Sequence, residues 1–135
     1  MRDENLVGLW ETAPYDYGAM ESSWVCLRPD GTGWSAVANL GSAAVSQLVW
    51  DCPVDGEVEL RWTWTASGRW APGTPFVLAE TDEEGPYEEV VRTRYATVTE
   101  TAPFADSPTA ALAFEDSVEF CHRFALVTRE PEAGG

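Results

Sequence analysis

The chain has 135 residues, a net charge of −15, 44% hydrophobic residues and seven tryptophans. That length predicts one domain able to build a core without metal or disulfide staples, and the apolar content excludes a disordered acidic polypeptide. The charge argues against nucleic acid or an anionic membrane as a partner, and the absence of lysine removes Schiff-base catalysis.

Along the chain the apolar run Leu6–Trp10 reads as a first strand, on which Gly8 and Trp10 face the same way. The segment Glu11–Glu21, with Pro14 and Gly18, reads as a loop, and Ser22–Arg28 as a second strand. Pro29-Asp30-Gly31-Thr32-Gly33 has tight-hairpin chemistry: proline presets φ, aspartate bonds its own backbone, and glycine supplies positive φ. Trp34–Asn39 returns, Leu40–Ala44 is a small-residue turn, and Val45–Cys52 pairs with Glu57–Trp64 across Pro53-Val54-Asp55-Gly56. Val58, Leu60, Trp62 and Trp64 alternate with Glu57, Glu59, Arg61 and Thr63, the pattern of a half-buried antiparallel strand. Ala66–Thr74 reads as a Gly/Pro loop. Pro75–Thr81, Tyr87–Glu100, Ala110–Glu115 and Val118–Arg129 supply the remaining strands, with Asp82-Glu83-Glu84 and Glu88-Glu89 in a solvated acidic turn.

Strands joined by hairpins, with Gly8-Leu9-Trp10 on the first and Pro29-Asp30-Gly31-Thr32-Gly33 between the second and third, resemble the lipocalin-like (calycin) barrels, including small bacterial ones. The expected fold is all-β: a single antiparallel up-and-down β-barrel of eight to nine strands over residues 1–129, with 130–135 a disordered tail. The resemblance implies that Trp10 plugs the closed end under an arginine from a late strand, Arg123 or Arg129. It also implies that the interior holds a small apolar or aromatic molecule.

Within such a barrel the two alternating strands predict a ligand cavity lined by Trp62, Trp64, Tyr95, Phe120, His122 and Phe124. His122, the only histidine, is the candidate proton-transfer group, with Tyr95 as the other catalytic candidate and Asp51, Glu80 or Glu89 as acid partners. Alternation leaves open which face of Tyr87–Glu100 points inward, Tyr95 with Thr93 or Arg92 with Arg94. One histidine and three scattered cysteines, Cys26, Cys52 and Cys121, predict neither a metal site nor a cofactor, and the odd thiol count without a signal segment predicts reduced cysteines in the cytoplasm. The expected function is an intracellular small-molecule binding protein, monomeric or homodimeric. The alternatives are a cofactor-free isomerase, dehydratase or cyclase in the same cavity, and an acidic inhibitor or immunity-type interaction protein.

Overall fold

The computed structural model describes residues 3–12, 22–39, 42–71, 74–101, 106–119 and 121–130, with the backbone alone at 39, 70–71 and 74–77. Eight strands run β1 Gly8–Glu11, β2 Ser22–Leu27, β3 Thr32–Asn39, β4 Ser42–Asp51, β5 Glu57–Ala71, β6 Thr74–Glu100, β7 Thr109–Val118 and β8 Cys121–Thr128. Each pairs antiparallel with the next, and β8 returns to β1, so the sheet closes into an up-and-down barrel. No described helix is long and apolar enough to cross a membrane. The expected loop over 13–21, Phe120, the Trp70 side chain and the tail at 131–135 lie outside the described residues.

The closed end is built around Trp10, which has no exposed surface. A single 3-10 turn, Glu4–Leu6, precedes β1, and Trp10 Nε1 donates to the Leu6 carbonyl at 2.9 Å. Arg129 carries its guanidinium 5.5 Å from the Trp10 ring centroid and donates to the carbonyls of Asn5 at 2.7 Å and Val7 at 3.1 Å. Of the two arginines open from the sequence, Arg129 therefore covers the tryptophan; Arg123 instead pairs with Glu100 on the outside at 2.8 Å. Gly8 has φ 150°, and a Cβ there would sit 2.7 Å from the Thr128 carbonyl. Only glycine lets β8 come this near to β1. The hairpin at Pro29–Gly33 forms as its chemistry requires, with Gly31 at φ 90° and Asp30 Oδ1 accepting from both Thr32 N and Thr32 Oγ1.

Above that floor Leu27, Leu48, Trp50, Val58, Leu60, Trp62, Leu112, Phe114 and Phe124 fill the closed half of the barrel. A second apolar cluster, Leu9, Cys26, Trp34 and Ala36 with Trp24 and Val45, lies on the opposite face of β1–β4. Glu11, the cross-strand neighbour of Trp24, is partly desolvated there, which raises its carboxyl above the ordinary 4.5 although the Trp24 hydrogen bond opposes the shift. The folded state then binds the proton more tightly than the unfolded chain, so this group costs stability as pH rises from 4.5 through the raised value, and the cost persists above it. Glu11→Gln is expected to raise the urea midpoint at about pH 8, with the gain over wild type fading toward the unfolded carboxyl pKa. A gain that stays constant across that range would show that Glu11 is not the titrating group.

Two expectations about strand boundaries are corrected. Ala66–Thr74 is not a loop, because β5 runs to Ala71 and pairs with β6 as far as Ala71↔Thr74. The acidic stretch Asp82–Glu89 is not a hairpin tip but the middle of the long strand β6. Further, β7 pairs with β6 only over Tyr95–Glu100, so upstream of Tyr95 the described ladder of β6 lies on its β5 side alone. Charged residues, Pro86 and several register shifts sit along that open edge. These devices keep an edge strand from pairing with another chain, so the acidic run has a structural use that composition did not reveal.

Candidate functional site

Of the six residues expected to share one cavity, Trp62, Phe124 and Tyr95 join one core cluster, whereas Trp64 and His122 are exposed. Trp62 faces inward as expected and is 3% exposed, but it is core, with Nε1 donating to Ser35 Oγ at 2.8 Å. Trp64 is turned outward and is 37% exposed. The cause is a β-bulge. Gln47 pairs with Trp64 and Leu48 with Trp62, so Thr63 is an extra residue, and one extra residue flips every side chain beyond it. Phe124 is buried against Phe114, ring centroids 5.7 Å apart, in the solid half of the barrel. Phe120 lies outside the described residues.

His122 is exposed rather than inward-facing. Ala113 pairs with Arg123 and Val118 with Cys121, so β7 carries several extra residues opposite the single His122. Its Nδ1 lies 3.1 Å from the Phe114 carbonyl, where it takes the place of a missing ladder partner. Of the acids considered for it, Asp51 and Glu80 are exposed and Glu89 accepts from the Tyr87 hydroxyl.

The open question about β6 is settled by packing. Val91 and Tyr95 pack on the core and Thr93 is buried, whereas Arg92 and Arg94 are exposed, Arg92 pairing with Glu57 at 3.5 Å. Neither inward hydroxyl is presented to a central cavity. Thr93 Oγ1 accepts from Asp116 N at 2.8 Å and donates to the Arg94 carbonyl at 3.0 Å. Tyr95 donates to Asp3 Oδ2 at 2.6 Å beneath the closed end, and its Oη is 3.9 Å from Cys52 Sγ. Burial first, then the Asp3 bond and the neighbouring Cys52, push the Tyr95 phenol far above its ordinary range, so it is held as a donor. The three cysteines form no disulfide.

Two hollows compete for the role of site. The larger, about 850 Å³, is bounded by Asp3–Asn5, the Cys52–Gly56 hairpin and Tyr95. It lies at the closed end, beside the 3-10 turn, and its Asp3 and Tyr95 are bonded to each other. The second, about 580 Å³, opens at the other end, between Val37 of β3, Ser42, Ala43, Ala44 and Ser46 of β4, Thr65, Ser67 and Gly68 of β5, Asp82 and Tyr87 of β6, and Glu119 of the β7–β8 turn. This mouth is the candidate site, because it lies inside the sheet's curve and its walls come from four separate parts of the chain.

Its chemistry follows from register. Ser35, Ser46 and Thr65 are directly opposite one another across β3, β4 and β5, which places three hydroxyls in one row. Ser46 Oγ and Thr65 Oγ1 are 2.9 Å apart, and Ser35 Oγ accepts the hydrogen bond of the Trp62 indole from the core below. At the rim the Tyr87 phenol is raised, first by its bond to Glu89, then by burial and by the charges of Glu89 and Glu119. Glu119 lines the same opening as Tyr87. It is also the one non-glycine residue with positive φ among the described residues, at 50°, and Ser23 Oγ donates to its carbonyl at 3.0 Å. A left-handed glutamate costs on the order of 1 kcal/mol, and such strain gathers at ligand sites.

None of the mouth residues was singled out from the sequence. The available signal was the run of small and hydroxyl residues at 42–46 and 65–67, which reads equally well as a turn or a loop. Comparison with family models, curated proteins and solved structures finds no match to this chain.

Proposed function

We propose that the chain is a lipocalin-like protein of the cytoplasm that holds one small organic molecule at the barrel mouth. The reading is supported by a first strand carrying Gly8-Leu9-Trp10 and by Arg129 stacked on Trp10, the arrangement that the family resemblance implies. The observation that carries it is the 580 Å³ recess over a solid, tryptophan-floored core, within the range of small-molecule sites. Val37, Ala43, Ala44 and the Tyr87 ring give it apolar wall, while Ser46, Thr65 and Ser67 supply hydrogen-bonding groups that fix orientation.

A substitution that fills the recess tests this. Ala44 lines it from β4 beside Ser67, and Ala44→Trp places a large ring there without touching the closed half. Intrinsic tryptophan fluorescence and calorimetry with a panel of small aromatic compounds are expected to detect binding to the wild type and none to Ala44→Trp, at a similar thermal midpoint. Equal binding to both proteins would place the ligand elsewhere.

A further inference from the structure

The ligand's charge class can be read from the same recess. Among the described residues the acidic residues Asp82 and Glu119 line the mouth, and no arginine or histidine does. Both residues line the opening together with Tyr87. The backbone holds Glu119 there in a left-handed conformation tied by Ser23, a geometry that other residues, asparagine or glycine above all, adopt more easily. At the rim an anionic head group would meet two carboxylates and a phenol already bonded to Glu89, on a chain of net charge −15, with neutral hydroxyls as the donors within the recess. A cation would meet two acidic residues beside an aromatic ring at the opening.

The depth of the recess asks for the opposite group. In the Ser46–Thr65 pair one hydroxyl donates to the other, which leaves the second hydroxyl's proton for another acceptor. Ser46 is 8% exposed, so an acceptor reaching it comes from inside the recess.

We infer that the mouth takes a small organic cation, an ammonium-bearing molecule with its charge at Asp82 and Glu119 and a carbonyl, hydroxyl or ether acceptor directed to Ser46 and Thr65. The inference rests on the mouth being a ligand site, and it narrows the apolar or aromatic molecule expected from the sequence to one that also carries positive charge. Fatty acids and other anionic lipids are excluded by the same lining.

The test uses three near-isosteric probes, phenethylamine, 2-phenylethanol and 3-phenylpropionate, titrated calorimetrically into the full chain. Phenethylamine is expected to bind about tenfold more tightly than the alcohol, with no measurable binding of the carboxylate. Glu119→Gln keeps the size and turn position but removes the charge, and it is expected to weaken phenethylamine about fivefold or more while leaving 2-phenylethanol unchanged. Asp82→Asn repeats the test on β6 in case the strained turn does not tolerate the glutamine. Glu130→Gln, which removes a carboxylate just beyond the closed end of β8, is expected to change nothing and so separates the mouth from the general acidity.

If the alcohol or the carboxylate binds as tightly as the amine, or if both mouth variants retain full amine affinity, the charge class is wrong. Loss of all binding in Ala44→Trp would still leave the mouth as the site in that case. Amine binding that survives Ala44→Trp would overturn the site itself, and the absence of binding by all three probes would overturn both readings.

Discussion

Replacing Trp10 with alanine is expected to cost about 3–5 kcal/mol, the usual range for emptying a large buried aromatic position. The ring has no exposed surface, stands on the carbonyl of Leu6 and is covered by the Arg129 guanidinium. Alanine would leave a cavity, strand the Leu6 acceptor and remove the platform on which Arg129 ties the 3-10 turn to the end of β8. A single domain has only about 5–15 kcal/mol in total, so the variant would sit near the limit of folding at ambient temperature. Trp10→Phe restores most of the volume but not the indole donor, and should recover all but about 1–2 kcal/mol. Urea unfolding followed by circular dichroism reads both. A Trp10→Ala midpoint close to wild type would mean that the closed end does not organise the barrel.

Gly68→Ala is expected to damage the mouth more than its single methyl suggests. A Cβ at Gly68 would stand 1.8 Å from the Glu80 carbonyl oxygen and 2.8 Å from its carbon. Both are backbone atoms of the paired strand, so no side chain can swing away, and β5 and β6 must separate at the bulge between Ser67 and Gly68. Overpacking of this kind costs about 1–3 kcal/mol. Gly68 itself lines the recess, and Ser67 and Asp82 move with it. Probe binding should therefore fall by about tenfold or more, beyond what the stability loss alone would explain. Gly85 supplies the control, since nothing lies within 4 Å of a Cβ there and Gly85→Ala should stay within about 0.5 kcal/mol of wild type. If Gly68→Ala binds probe normally, the β5–β6 ladder at that point does not shape the site.

The inner and outer faces of β5 up to Trp62 were legible because apolar and charged residues alternate there without a break. Beyond Trp62 the same alternation misled. The strand continues to Thr63 and Trp64 with an unchanged sequence rhythm, and only the pairing of Gln47 with Trp64 shows that Thr63 is surplus. His122 is a parallel case. It stands in phase with Phe124, but the residues between Ala113 and Val118 bulge opposite it and its ring turns to the Phe114 carbonyl. Both errors have one physical source. A bulge is a mismatch between two strands far apart in sequence, made by backbone groups that every residue carries, so neither strand alone announces it.

The acidic stretch Asp82–Glu89 failed for a related reason. Gly85-Pro86 among carboxylates is turn chemistry in isolation, yet β5 extends far enough to hold it as a strand, and the features that suggested a turn serve to protect an edge.

By itself, then, the sequence determined what local chemistry can determine: an all-β chain and the hairpin at Pro29–Gly33. Each depends on a residue's own side chain or allowed φ, which neighbours do not change. The tertiary structure decided which arginine covers Trp10, which face of β6 is inside, and that the open half is walled by Ser46, Thr65, Ser67 and Glu119. Those outcomes depend on register, bulges and ring closure, where distant segments set one another's phase.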